Sequence, residues 1–578
     1  MGWILGLLGN YSDYDLQLFK SIYCKPLYSF QSNKLYIKAG GLSETCFAYS
    51  KNNSEGWIAC GLGMKLDNGH ANLMIDEDWN AELLQNDFDP FRLNGHFVVV
   101  RWKNKEVQLI TDQLGLRNLF LIISNDKIVF SSRLDWITSF RDSSLINWEE
   151  IGSRWLLINQ LSNECILENI FRLSQGGKAE CTTDPVSVNI KNHHWYPHLA
   201  QSLPNRDIYW SLNEFTVCSL RNPKKVSLAL SGGLDSRVLL ALLLSTQKRN
   251  WCLHSFYDPD HPDRQISSRI SAGFGLEHTF FDQPIPSRDE CLSMLKEYAG
   301  QVMFTEPASG FLNLMFYSQL HEQGKIVIDG GLGEIARRRY LNNVLLHGRK
   351  ALLNGRIKDI IPYLKVHRAS IFNQECLKMM QNGIKKQIEI LFENMPAIRE
   401  FGIENWLDLF AIRTRFPNTA SPEQSRSDSE LVNYMPFAQP TFLRKMFETP
   451  VKERRNGKMF RKIIWDYQPL LSGYPLIKDG IIYPYKLSTV PASVWIKLKS
   501  KLGYVYRSRK VVQFLELLSD YIQDIVHSDS VKSFYYYDYQ QIVEIVDGFY
   551  KKGNKAFASE LNWWLAFETW RQSCKVCS

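Results

Sequence analysis

The chemistry of this chain concentrates in one hexapeptide, Ser231-Gly232-Gly233-Leu234-Asp235-Ser236. Before it, residues 226–230 read as a buried strand, and after it the apolar run 238–244 is of helix-forming type. Strand, glycine turn and helix together make an anion site. The glycines let the backbone approach an oxyanion, and the helix N-terminus offers free N–H groups and a favourable dipole. Ser231 and Ser236 add hydroxyl donors. The Asp235 carboxylate would repel a phosphate unless a cation such as Mg²⁺ stood between them. The lysine of the GxxxxGK[ST] loop is missing. Two adjacent glycines alone would mark only a tight turn; six specified residues between strand and helix mark a ligand.

The elements around the hexapeptide must hold it at the edge of a sheet. Residues 253–257 read as a second strand, 258–263 as a polar turn and 264–273 as a helix. Such alternation predicts a parallel sheet with its ligand at the strand C-termini. Residues 325–334 repeat the pattern, with a strand running into Asp329-Gly330-Gly331-Leu332-Gly333-Glu334. By contrast, the first 140 or so residues read as short strands and turns, with strands expected at 4–8, 97–102, 107–111, 119–123 and 127–131. Residues 341–416 read as helices. Near the end, Leu561, Trp564, Leu565 and Glu568 fall at the spacing of a core helix.

The hexapeptide resembles the pyrophosphate loop of the ATP pyrophosphatases, which adenylate a substrate and release pyrophosphate. Three further stretches, Leu93-Asn94-Gly95-His96-Phe97, residues 112–120 and Phe130-Ser131-Ser132, are similar in order and spacing to the N-terminal domain of asparagine synthetases. The resemblance implies an α+β, N-terminal-nucleophile-like sandwich over residues 1–195. An α/β parallel-sheet ATP pyrophosphatase domain with a helical C-terminal part would follow over 206–578. It also implies ATP contacts from Leu230, Ser231, Gly232, Gly233, Asp235, Ser236, Asp329 and Gly330, and Mg²⁺ held by Asp235 and Glu334. Glu334 falls where the family has a metal-binding Asp, and Tyr340 at the family's Tyr. Lys458-Met459-Phe460-Arg461 is similar to the family's Lys-x-x-Leu-Arg, and Pro469 with Lys478 to its Pro…Lys stretch. Lys478 is thus the expected catalytic lysine, with Lys486 and Lys458 as competitors. The end of the chain, 561–571, resembles the closing helix of long bacterial members.

The departures from the family carry as much information. Gly2 stands where the family has its nucleophilic cysteine, the nearest cysteine is Cys24, and no Asn-Gly-Glu stretch is present to hold glutamine. The expected first domain is a structural remnant, as in relatives that make amides without glutamine, such as β-lactam synthetase and lasso-peptide cyclases. Gly331 replaces the Glu of asparagine synthetases, and Arg337-Arg338-Arg339 replaces Phe-Gly-Gly. These arginines are either a solvated helix face or a site for an anionic substrate.

Composition narrows the partners. Net charge is +8 over 578 residues without a long basic block, which suits acidic ligands better than nucleic acid. Eleven scattered cysteines suit a reducing compartment, and the lone pair Cys574 and Cys577 reads as a solvated tail. His193, His194 and His198 lack the carboxylate or thiol that would complete a metal set. The N-terminus lacks the basic region and cleavage pattern of a signal peptide, Gly6 argues against myristoylation, and no apolar run reaches membrane-spanning length. The expectation is a cytoplasmic ATP-dependent ligase joining a carboxylate to ammonia or an amine, with no nucleic acid or membrane partner. Ring closure on a peptide precursor is one form of that reaction. The rivals are a tRNA-modifying ATP pyrophosphatase and an ATP-binding scaffold without catalysis.

Overall fold

The computed structural model describes residues 2–22, 25–32, 34–51, 54–86, 88–197, 199, 205–504, 506 and 508–577. Cys24 and His198 lie outside the described residues. The protein is a mixed α/β molecule with antiparallel sheets, one parallel sheet and a helical C-terminal part.

Two antiparallel sheets form the first part. One has six strands, in the order Phe171–Leu173, Leu119–Ile123, Lys127–Ser131, Trp3–Gly9, Leu35–Gly40 and Tyr28–Gln31. The other has seven, with Val186–Lys191, Lys178–Thr183, Glu106–Thr111, Asn94–Lys103, Glu55–Asp67 and Cys46–Lys51 in line and His70–Leu73 pairing with Glu55–Asp67. Strand periodicity sorts their side chains into layers. Ile4 and Leu8 join Val98, Val100 and Leu109 between the sheets, whereas Trp3, Leu5 and Leu7 face the other way. The residues of that outer face belong to one apolar cluster with the C-terminal helices, including Ala558–Ser573, and Trp136 packs on Trp3. Gly6 leaves room for Phe130, whose ring would lie 2.1 Å from an added Cβ.

The parallel sheet has five strands, numbered here within it: β1 Lys225–Ala229, β2 Trp251–Ser255, β3 His278–Phe280, β4 Lys325–Ile328 and β5 Asn433–Tyr434. Their spatial order is 3-2-1-4-5. The order therefore reverses between β1 and β4, which places the ligand crevice of a doubly wound sheet at the ends of those two strands. The helix Asp235–Leu244 follows β1 and is buried from Ser236 through Leu243, as expected for a helix apolar on all sides. The expected strand at 253–257 sits two residues earlier as β2, which frees Phe256 and Tyr257 to line the crevice. The hairpin of Leu476–Lys478 and Ile481–Tyr483 and the short β5 carry too few residues to show a period in the sequence.

Residues of 93–97 and 112–120 join the two antiparallel sheets to the rest of the chain. Gly95 N–H donates to Gln439 Oε1 (2.8 Å), Asn94 Oδ1 accepts from Thr441 N–H (2.9 Å) and Asn118 Nδ2 donates to Ser421 Oγ (2.6 Å). The C-terminal backbone is packed and only the Cys577 side chain is exposed, which corrects for Cys574 the reading of a solvated tail. Cys574 is buried, Ser144 N–H donates to the Lys575 carbonyl, and Cys577 N–H donates to that of Ser144. No helix among the described residues is long and apolar enough to cross a membrane.

Candidate active site

At the switch point, β1 and β4 run into glycine turns that share a cavity of about 290 Å³. Leu230, Ser231, Gly233, Asp235 and Ser236 line it from the first turn; Asp329, Gly330, Gly331 and Glu334 line it from the second. The sequence places these residues about a hundred positions apart, and the parallel pairing of β1 with β4 brings them together. Gly330 allows a close approach of the two turns: an added Cβ would lie 3.0 Å from Ser236 N.

The loop is held by a local network of backbone and hydroxyl hydrogen bonds. Ser236 Oγ accepts from Ser231 N–H (3.2 Å) and contacts Ser231 Oγ (3.0 Å), while Ser231 Oγ accepts from Gly233 N–H (3.2 Å). Of the expected ATP contacts Gly232 does not line the cavity, and neither does Lys478, the expected catalytic lysine. The Gly232 N–H donates to the Asp263 carboxylate (2.7 Å), so the turn already holds an anionic oxygen. Asp263, at the start of the helix Pro262–Phe274, was not singled out by the sequence, because only the tertiary fold brings it to the turn. Arg237 is a second such residue. It is fully buried and ties the loop to the segment before the hairpin through Tyr474 O and Pro475 O, both at 2.8 Å.

The carboxylates are ion-paired. Arg337 contacts Asp235 through Nε–Oδ1 (2.7 Å) and donates from Nη2 to Oδ2 (3.0 Å); the first contact is close but not aligned as a hydrogen bond. Burial raises the Asp235 pKa despite Arg337, and the Glu334 charge adds to the rise. Asp329 is likewise raised, by burial first and by Glu334. Arg415 donates to Glu334 and lies over the Tyr340 ring, 4.7 Å from its centre. Asn159 donates to the Tyr340 hydroxyl (2.8 Å). Arg415 ends the helix Ile403–Arg415 where it passes into a π-helical turn, Phe416–Ala420, an irregularity frequent at functional sites. In donor type, Asp235, Glu334 and Asp329 suit a hard cation. In this arrangement guanidinium groups hold two of the three. Among the described residues, no cluster of three or more His, Cys, Asp or Glu side chains is set to hold a metal.

Of the two readings left open for the three arginines, the solvated helix face is the one the structure contradicts. Arg337 is 15% exposed, and Arg338 is buried, donating to the Tyr340 carbonyl (2.6 Å) and lying 3.5 Å from Asp408. Leu332, Arg338 and Leu341 all have positive φ (67°, 51° and 57°), a strained backbone of the kind that collects at ligand sites.

Lys478 ends the first hairpin strand, one residue after Ile477, whose N–H donates to the Gly232 carbonyl (3.2 Å). Burial, then the charges of Arg339 and Arg337, lower its pKa. Lys486 and Lys458 are both exposed.

No family model and no curated protein sequence matches this chain. Among solved structures, the NH3-dependent NAD synthetase of Campylobacter jejuni aligns over 34% of this chain and 98% of its own, at 16% identity and a TM-score of 0.19. Glutamine phosphoribosylpyrophosphate amidotransferase from B. subtilis aligns over 57% and 81%, at 10% identity and a TM-score of 0.21. The glutamine-dependent NAD+ synthetase of Acinetobacter baumannii aligns over 38% and 51%, at 14% and 0.18. Likenesses this remote add nothing to what the residues themselves show.

Proposed function

We propose that the protein is an ATP-dependent amide-forming ligase of the asparagine synthetase type that does not draw nitrogen from glutamine. One observation carries the reading: the Ser231–Ser236 turn and the Asp329–Glu334 turn meet in a single cavity at the switch point of a parallel sheet. In the proposed reaction a substrate carboxylate oxygen attacks the α-phosphorus of ATP, the P–O bond to pyrophosphate breaks, and an acyl-adenylate forms. Ammonia or a substrate amine then attacks the acyl carbon, AMP leaves, and the amine proton is lost. The loop N–H groups and the Ser231 and Ser236 hydroxyls bind the phosphates, and Lys478 offsets charge developing in the second step. Asp235 and Glu334 would hold Mg²⁺ once Arg337 and Arg415 release them; the ion would neutralise pyrophosphate as it leaves.

A second reading, an ATP-binding scaffold without catalysis, is favoured by those same two ion pairs. Incubation with ATP, Mg²⁺ and panels of carboxylates and amines, peptide precursors included, separates the two. Carboxylate-dependent AMP and pyrophosphate support the ligase, and nucleotide binding without turnover supports the scaffold.

A further inference from the structure

The helix Thr489–Lys501 follows the hairpin and is apolar on two opposite sides. Its inner side packs: Ala492 and Ile496 are buried in the main core cluster with Ile481 and Tyr483 of the hairpin. On its outer side Val494, Leu498 and Leu502, spaced one turn apart, are 56%, 58% and 64% exposed. Trp495 lies beside them, 40% exposed, its indole N–H donating to the Ile482 carbonyl (3.2 Å). One exposed leucine needs no explanation, but a stripe of large apolar side chains along a helix marks an interaction surface.

Lysines border the stripe. Helical geometry puts Lys497 and Lys501 on one flank and Lys499 on the other. Among the described residues none of the three makes an ion pair. Instead the Lys499 ammonium lies over the rings of Trp495 and Tyr504, 5.7 and 4.2 Å from their centres. The single sign of charge extends through the segment, since residues 480–515 hold seven Lys or Arg and no Asp or Glu. Of those seven, Lys510 is paired with Asp258 (2.8 Å).

This charge pattern decides what covers the face. A second copy of the chain would set lysines against lysines. A nucleic acid would place its phosphates on cations at the centre of the footprint, and here the centre is aliphatic. Anionic headgroups above an acyl interior match both features. The aliphatic stripe enters the acyl boundary, the lysine stems follow it while their ammonium groups stay among the phosphates, and Trp495 and Tyr504 sit at the level between.

We propose that Val494, Trp495, Leu498 and Leu502 dock the protein on an anionic phospholipid surface, with Lys497, Lys499 and Lys501 on the headgroups. The helix lies in the interface and spans nothing. This revises the expectation of a chain without a membrane partner, which rested on whole-chain charge and on the lack of a spanning run; neither reports a helix that lies flat. The docked face stands one hairpin away from the glycine turn, because Ile477 N–H meets the Gly232 carbonyl at the hairpin's first strand. The proposal does not depend on the ligase reading.

The test is co-sedimentation of the full chain, at physiological salt, with vesicles of phosphatidylcholine alone and of phosphatidylcholine mixed equally with phosphatidylglycerol. It is repeated with the double variants Lys497→Gln/Lys501→Gln and Leu498→Gln/Leu502→Gln. All four positions are exposed, and circular dichroism confirms folding. The parent should bind the mixed vesicles, and the neutral ones about tenfold more weakly or less. The lysine pair should weaken binding to the mixed vesicles by about tenfold or more, and the leucine pair by a similar factor. Failure of the parent to sediment with the mixed vesicles, or undiminished binding by either double variant, would overturn the proposal. Binding to polyglutamate or to polyuridylate but not to vesicles would also overturn it, and would assign the face to an acidic protein or to single-stranded RNA.

Discussion

Arg337 holds the Asp235 carboxylate by contacts of 2.7 and 3.0 Å at the foot of the helix that follows the glycine turn. Gly333 makes that position possible, since a Cβ there would lie 2.7 Å from Asp235 Cγ. The pair sets a carboxylate beside the Ser231–Ser236 turn and supplies its counter-ion from the chain itself.

Removing that counter-ion should expose its role. Arg337→Gln leaves Asp235 buried and unpaired, and should cost up to about 3 kcal/mol of stability. Mg²⁺ should recover part of it by taking the guanidinium's place. Denaturant midpoints with and without Mg²⁺ report both effects. Asp235→Asn should lose the Mg²⁺ response and pyrophosphate release together. A variant pair whose midpoints ignore Mg²⁺ would show that the carboxylate is not a metal ligand.

Lys478 should act on turnover rather than on ATP binding. Lys478→Met should lower turnover by about a hundredfold or more while ATP affinity stays near the parent's, the pattern of a group used mainly in the transition state. Its depressed pKa adds a pH signature. If the ammonium is the working form, activity should fall on the alkaline side below the ordinary lysine range. Lys486→Met should be silent in steady-state kinetics; the reverse result would move the role to Lys486.

Much of this site is legible in the sequence, for a local reason. The Ser231–Ser236 turn is formed by neighbours in the chain, so residue types and the flanking apolar runs reveal it directly. The strands at 119–123 and 127–131 coincide with the expected ones because their pattern is strong. What the sequence hides is set by tertiary packing. Asp263 on Gly232, Arg415 on Glu334 and the burial of Arg338 against Asp408 join residues from 31 to 81 positions apart, with no common motif. Three consecutive arginines leave a solvated face and an anion site equally open in the sequence; the positive φ at Arg338 turns that one inward.

The parallel sheet should make the protein acid-sensitive. His254 is buried beside Ser227 Oγ (2.8 Å), and burial, with the charges of His278 and Lys325, brings its pKa down to about 3 from 6.5. His278 falls to about 4, chiefly by burial. Below pH 6.5 the unfolded chain takes up protons that the folded chain refuses, so stability present above 6.5 is lost as pH falls toward 3–4. His254 contributes a slope of up to about 1.4 kcal/mol per pH unit. His254→Gln should flatten the dependence of urea midpoints on pH in that window; an unchanged slope would show that His254 is not its source.

Glutamine should not serve as nitrogen donor. Gly2 offers no nucleophile, and a Cβ there would lie 2.8 Å from the Thr45 carbonyl oxygen, so Gly2→Cys should not restore one. Glutamate release from glutamine should match the no-enzyme rate in both proteins. Release well above it would restore a glutaminase role to the sandwich.

ATP bound at the Ser231–Ser236 turn should be split between its α- and β-phosphates. Phosphorus NMR of ATP turned over with Mg²⁺ and a cognate carboxylate reads this directly, run beside Gly330→Val, whose Cβ would press to 3.0 Å from Ser236 N. AMP and pyrophosphate are expected from the parent, and neither turnover nor a nucleotide-induced shift from the variant. ADP and orthophosphate as products, or unchanged turnover in Gly330→Val, would contradict it.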